Sequence, residues 1–344
     1  MKRVLKWGLG GVLSLALLIV AAGVGWEQWV RGKLARELPP PGRLVEVEGR
    51  AMHLRCAGEG RPTIVLEAGL GADGSTSWDP VFDELAQVSR ACAYDRAGIL
   101  WSAPGPDPRD ALQVTSELRA LLASAGEESP FVLVGHSLGG LFARIYTDRY
   151  PDDVAGLVFV DSSHPEQFER MPPEVVEAME SAMPPLATMR FLAATGALRF
   201  MTMGAGGGAD GATAPVQARL PQSVAGLAGE ASLLETIATQ AGEVTSLGDR
   251  PLVVLAAGSP PLEVPEGVAP EVVERMLTEL WPELQREAAA LSTRGEFRLV
   301  EGAGHYIHHD QPQVVIQAIR EVVSAVRGAA TATGDPARPR SPSD

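Results

Sequence analysis

A serine set between two glycines, where a strand pattern gives way to a helix pattern, is the first group in this chain suited to covalent chemistry. Residues 131–140 read FVLVGHSLGG, so Gly135-His136-Ser137-Leu138-Gly139 fits G-x-S-x-G. In a chain with 37 glycines the pattern alone is weak. Its setting carries it, because an apolar strand enters and a helical segment at 138–150 leaves. On such a turn the glycines allow close backbone approach, and the helix N-terminus favours negative charge developing beside the serine. The plainer alternative is a serine N-cap flanked by glycines.

A serine hydroxyl is a poor nucleophile until a base takes its proton. The late segment 301–312, EGAGHYIHHDQP, offers three histidines. His305 follows the last strand pattern in a G-x-G-H turn with small neighbours, so it is the one expected at a strand end. His308 and His309 are expected to begin or cap the next helix. His136 adjoins the serine but is expected to point elsewhere, while His53 and His164 read as structural or cap-facing. A metal site made from the late histidines lacks a convincing carboxylate. No cofactor and no metal are expected.

The elements that must position these groups alternate along the chain. Strand patterns occur at 44–47, 52–56, 63–67 (TIVLE), 91–94, 131–134, 154–160 (VAGLVFV), 251–256 and 296–300, with helical patterns at 78–88, 110–124, 138–150, 270–291 and 312–326. Apolar strands alternating with helices predict an α/β fold, a mostly parallel eight-stranded sheet covered on both faces. Residues 162–250 break the rhythm, since no strong strand occurs there. A structureless loop of that length is unusual, so a helical cap inserted after the sixth strand is expected. The domain reading is 1–40 anchor and linker, 41–162 and 250–327 catalytic core, 163–249 cap, and 328–344 a disordered Pro-rich tail.

The N-terminus adds a compartment. Lys2, Arg3 and Lys6 precede WGLGGVLSLALLIVAAGVGW at 7–26, which carries no charge and is long enough to cross a bilayer as a helix. Basic residues ahead of it favour a cytoplasmic N-terminus and an extracytoplasmic remainder. Trp7 and Trp26 stand where interfacial aromatics would. A cleaved signal peptide is the rival, with Ala21, Gly23 and Gly25 as a weak cleavage region. Residues 36–42, containing three consecutive prolines, read as the linker. The formal net charge of −14 leaves no basic surplus for phosphates, so nucleic acid is not an expected partner.

With VLEAGLG, YDRAG, VGHSLGG, LVFVDSSHPEQ and GAGHYIHHDQP in this order, the chain resembles the α/β-hydrolase superfamily over roughly 43–327, in the branch with lidded esterases and proline-iminopeptidase-like enzymes. The resemblance implies that Ser137 and His305 are nucleophile and base. It argues against the aspartate-nucleophile chemistry of epoxide hydrolases and haloalkane dehalogenases. It implies an oxyanion hole from the backbone N–H groups of Leu138 and of Leu70 in the Ala68-Gly69-Leu70 turn, where the family's usual His is missing. The family's common acid position falls on Pro261, with Glu263 and Glu266 nearby. A second family position, the end of the sixth strand, falls on Asp161, which is preferred over Glu263. Asp95 and Arg96 are expected as a buried structural pair, and Cys56 and Cys92 on neighbouring strands as a plausible disulfide.

The implied reaction is hydrolysis of a small ester-like or lipid-like substrate. Met171, Met179, Met183, Met189, Met201 and Met203 of the cap are expected to line an adaptable apolar pocket, or else to pack the cap itself. Two other readings remain: a binding or sensing protein that lost efficient turnover, favoured by the missing Asp at 261, and a proline-type aminopeptidase using Glu166 to hold a free amine.

Overall fold

The computed structural model describes residues 2–182, 185–203, 214–259 and 267–332. Helix α1 (Lys2–Glu37) precedes an eight-stranded sheet built from β1 (Arg43–Val47), β2 (Arg50–Ala57), β3 (Thr63–Glu67), β4 (Ala91–Tyr94), β5 (Phe131–His136), β6 (Val154–Val160), β7 (Leu252–Ala257) and β8 (Gly295–Val300). The order is β1-β2-β4-β3-β5-β6-β7-β8. The two pairings made by β2 are antiparallel and the rest are parallel.

Both faces are covered, which is why the central strands read as unbroken apolar strings. On one face Val65, Leu133, Leu157, Phe159 and Val254 pack under α3 (Ala111–Ala125) and α4 (Leu138–Arg149). On the other, Ile64, Leu66, Val132, Val134, Val158 and Val160 pack under α2 (Asp79–Val88) and the C-terminal helix described below. The alternation of neighbours such as Leu133 and Val134 between faces is the strand period of two.

Between β6 and β7 lie α5 (Gln167–Arg170), α6 (Pro173–Ala182), α7 (Leu186–Ala194), α8 (Ala197–Met203), α9 (Ala214–Ala231) and α10 (Leu234–Gly242). The sequence reading gave all of 163–249 to the cap. However, α10 buries Ile237 and Ala241 in the sheet-face core with α3 and α4, so it belongs to the core layer. After β7 come α11 (Pro270–Arg275) and α12 (Trp281–Ala290), joined by one π-helical turn over Met276–Leu280. Then follow the short α13 (Ile307–Asp310) and α14 (Pro312–Ala332).

Two terminal boundaries differ from expectation. The linker expected at 36–42 is shorter, because α1 runs on to Glu37. The i,i+4 pairs Glu27–Arg31 and Lys33–Glu37 support the extension, and Pro39 stops it. The tail expected from 328 does not start there, because α14 continues through the alanine-rich GAATA to Ala332, and 333–344 lie outside the described residues. Arg327 fastens it by donating to the Arg61 and Val88 carbonyls.

Cys56 and Cys92 stand directly opposite each other in β2 and β4 and are bonded. The link closes a chain separation of 36 residues. Replacing both by serine is expected to lower the unfolding free energy by about 2–4 kcal/mol, because the unfolded chain regains loop freedom. Urea unfolding of the two proteins checks this, and intact mass of native protein should show no free thiol.

Candidate active site

The site forms where β5 and β6 end. β5 delivers Ser137 onto a turn with φ 51° and ψ −125°, a conformation L-residues rarely adopt. The turn persists because its surroundings over-determine it. The Ser137 N–H donates to the Val160 carbonyl at 3.2 Å, and the Ser137 carbonyl accepts from Gly140 and Ser163. A Cβ on Gly139 would fall 2.4 Å from the Glu67 carbonyl oxygen, so a glycine is required there. Ser137 is half-buried at the start of α4.

One strand over, Asp161 leaves β6 with φ 44°. Its Oδ2 accepts from His305 Nδ1 at 2.6 Å. Its Oδ1 accepts from the Ala257 N–H at 2.8 Å and from Trp281 Nε1 at 2.6 Å. The carboxylate is buried while His305 is 46% exposed, so the imidazole is anchored at Nδ1 and open at Nε2. Structure thus brings Asp161 and His305 together across 144 residues of chain, beside the Ser137 turn. Among the described residues the Ser137 hydroxyl has no hydrogen-bond partner. Glu263, Glu266 and Pro261 lie outside the described residues.

His136 was expected to point away, and the structure places it in the site's foundation. Its Nε2 donates to the His305 carbonyl at 3.0 Å, and the two rings lie 4.7 Å apart. That bond fixes the proton on Nε2. Nδ1 is left buried without a partner. Burial, then the charges of His305 and His308, hold His136 well below the usual histidine range. His308 and His309 lie in α13 as expected. His308 meets the Ser77 hydroxyl at 3.1 Å and stacks on Trp78, while His309 bonds the Ser77 carbonyl.

Burial lowers His308 to about 3, with His309 and His305 adding to the effect. The unfolded chain therefore takes up a proton near pH 6.5 that the folded chain refuses until about pH 3. Stability is full above pH 6.5 and falls as pH drops through this window, by about 1.4 kcal/mol per pH unit for this one group. Urea unfolding at about pH 7 and about pH 5 should show the loss, and His308→Gln should make it shallower.

The third wall is the turn after β3. A Cβ on Gly69 would lie 3.0 Å from both the Ser137 Cβ and His136 Nδ1, so the Ala68-Gly69-Leu70 backbone passes against the Ser137 turn. Gly69→Ala is expected to lower kcat about 100-fold by displacing this loop, with little change in Tm; steady-state kinetics and a thermal melt check it.

Asp95 and Arg96 are both buried, but they are not a pair. Leaving β4, they turn to opposite sides, as consecutive extended residues do. Asp95 accepts from the Ser75 and Trp101 N–H groups and faces His53 Nδ1 at 2.9 Å. Arg96 donates to Glu67, to the Ala68 and Gly69 carbonyls at 2.7 Å, and to Glu230 of α9 through two bonds of 2.9 Å. It clasps the turn beside Ser137 to the cap. Tyr94 also donates to Glu67, whose carboxyl is pushed up by burial. No sequence signal links Glu230 or Trp281 to these groups; their partners stand more than a hundred residues away.

Of the cap methionines, Met179 and Met201 are 40% and 63% exposed, so they do not line an enclosed pocket. Met189 packs within the cap against Ala193, Leu198 and Val224. Met183 lies outside the described residues. Glu166 is exposed and pairs with Arg170, which also binds Glu283 and Glu287.

A strand-turn-helix serine, an Asp–His pair from later strand ends and a helical insert over a mostly parallel sheet define the α/β-hydrolase class. The sequence profile of the alpha/beta hydrolase family matches residues 64–318, and the chain belongs to that family. YqjL of Bacillus subtilis (strain 168) is 25% identical over 280 residues, 80% of this chain and 89% of its own length. YbdG of the same organism is 26% identical over 167 residues, 48% of this chain. The chain spans about half (51%) of YbdG's length. A thermophilic esterase from Thermogutta terrifontis superposes with a TM-score of 0.56 at 22% identity, covering 82% of this chain and 97% of that one, which shows the shared fold.

Proposed function

We propose that this protein is a membrane-anchored serine hydrolase that cleaves ester-like bonds through an acyl-enzyme. The observation that carries the reading is the 2.6 Å contact of Asp161 with His305 Nδ1, next to a serine on a positive-φ turn at a helix start. In this reading His305 Nε2 takes the Ser137 proton as the hydroxyl oxygen attacks the substrate carbonyl. Asp161 fixes the imidazole tautomer and steadies its positive charge. The N–H groups of Leu70 and Leu138 receive the oxyanion, His305 returns the proton to the leaving alcohol, and water deacylates Ser137 by the same route. Every step balances with the chain's own groups and water.

The reading of a binding protein without turnover rested on the missing carboxylate at 261. Asp161 supplies a carboxylate from another strand end, so that support falls away. The aminopeptidase reading asked for a free acidic group, and Glu166 is engaged by Arg170.

Two observations favour the anchored, extracytoplasmic form. α1 is long and apolar enough to cross a membrane over Gly10–Glu37, and only 6% of its apolar window is buried, unlike a core helix. The Cys56–Cys92 bond suits an oxidising compartment. The test is turnover of p-nitrophenyl acyl esters by the full chain in detergent or vesicles. Hydrolysis that disappears in Ser137→Ala supports the reading; equal hydrolysis by both proteins refutes it.

A further inference from the structure

The C-terminal end of α1 is built into the cap. A Cβ on Gly23 would lie 2.4 Å from the Thr195 carbonyl oxygen, and one on Gly196 would meet the Trp26 ring at 3.0 Å. Helix and α7–α8 turn are thus in direct contact. One step on, Glu27 is fully buried between Arg199 of α8 (2.7 and 3.0 Å) and Arg31 (2.8 Å). After α1 ends, the Leu38 carbonyl accepts from Trp101 Nε1 at 3.1 Å and from Arg219 of α9 at 2.9 Å. A flexible tether has no use for such contacts. They hold α1 as a fixed strut against the cap.

The strut sets a depth. At 1.5 Å per residue the uncharged run at 7–26 is about 30 Å long, the thickness of a bilayer's hydrocarbon core. Gly23 and Trp26 lie in its last turn, so Thr195 and Gly196 sit level with the membrane boundary. Phe191 stands one helical turn before Thr195, and Phe200 one turn after Gly196. Phe191 is 55% exposed, Phe200 76% and Met201 63%, three large apolar groups left uncovered on α7 and α8, the two helices that flank the Thr195–Gly196 contact with α1.

We propose that the α7–α8 face of the cap is a membrane-docking surface. The leaflet that α1 leaves covers Phe191, Phe200 and Met201, with these side chains ~5–10 Å into the headgroup–acyl boundary. This rests on the anchored reading above and adds to it. The cap that clasps the Ala68–Gly69 turn through Glu230 is then seated in lipid, and the site is offered first to acyl compounds dissolved in that leaflet.

The test uses the full chain in phosphatidylcholine vesicles. The native cysteines are bonded to each other, so an added thiol is the one that labels. An environment-sensitive fluorophore is placed on Phe191→Cys and on Phe200→Cys. Leu17→Cys reports on α1, and Leu44→Cys and Leu299→Cys, also exposed, report on β1 and β8. Two spin-labelled lipids are the quenchers, a shallow one read at 191 and 200 and one labelled deep in the acyl chain read at 17, which lies mid-way along the 7–26 run. The proposal expects blue-shifted emission, most of it lost to quencher, at 191 and 200, with neither effect at 44 or 299. Quenching at 17 but not at 191 or 200 leaves the anchor standing and overturns the docking face. No quenching at 17, 191 and 200 overturns both. A blue shift at 191 and 200 without quenching means that protein, not lipid, covers the face, and it also overturns the proposal.

Discussion

Ser137→Ala lowers kcat by about 10⁶-fold, leaving only what the oxyanion donors and substrate binding supply without a nucleophile. KM should change little, because the hydroxyl contributes to bond formation and not to holding the substrate. The same position gives a second readout. Ser137 pays for its placement with a backbone at φ 51°, which glycine adopts freely. Ser137→Gly is therefore expected to be equally inactive yet more stable than the parent by about 1 kcal/mol. Kinetics on an acyl ester together with urea unfolding measure both effects. Unchanged activity in either variant contradicts the assignment of Ser137.

Asp161→Asn lowers kcat about 10⁴-fold without unfolding the protein. The reason lies in how the carboxylate is surrounded. Its Oδ1 receives two donors, the Ala257 N–H and Trp281 Nε1, so the asparagine must keep its carbonyl oxygen on that side. Its NH₂ then faces His305 Nδ1, which must present a lone pair. The imidazole proton moves to Nε2, the nitrogen that should accept from Ser137, and the base is lost while the packing is kept. Glu263→Gln, the alternative acid on sequence grounds, is expected to stay within a few-fold of the parent. A large loss in Glu263→Gln with a small one in Asp161→Asn would reverse the assignment.

Local signals in the sequence went far. The strands are apolar strings because both sheet faces are covered, and the Ser137 turn is local, needing only FVLV before it and a helix after it. His305 follows from its place behind the last strand. Asp161 was legible as a carboxylate at a strand end, but sequence left Glu263 in contention, because only the fold brings β6 beside the loop after β8. The groups that hold the site in place were not legible. His136 faces His305 because it continues the alternation of Val132 and Val134 toward the face on which Trp78 and the 303–307 segment pack, and only the fold says that this segment lies there. Trp281 and Glu230 act over separations of more than a hundred residues. The expected Asp95–Arg96 pair failed for a simple reason, that neighbours on an extended chain face apart. The cap boundary failed because α10 carries its apolar stripe toward the sheet, and a periodic pattern does not say which surface the stripe meets.

The most direct test of an activated serine is covalent. Native full-length protein is treated with a fluorophosphonate, and the modified residue is located by mass spectrometry, beside Ser137→Ala and His305→Ala. The account predicts one adduct, on Ser137, absent from Ser137→Ala and strongly slowed in His305→Ala. A folded parent protein that takes no label, or one labelled equally fast without His305, would contradict it.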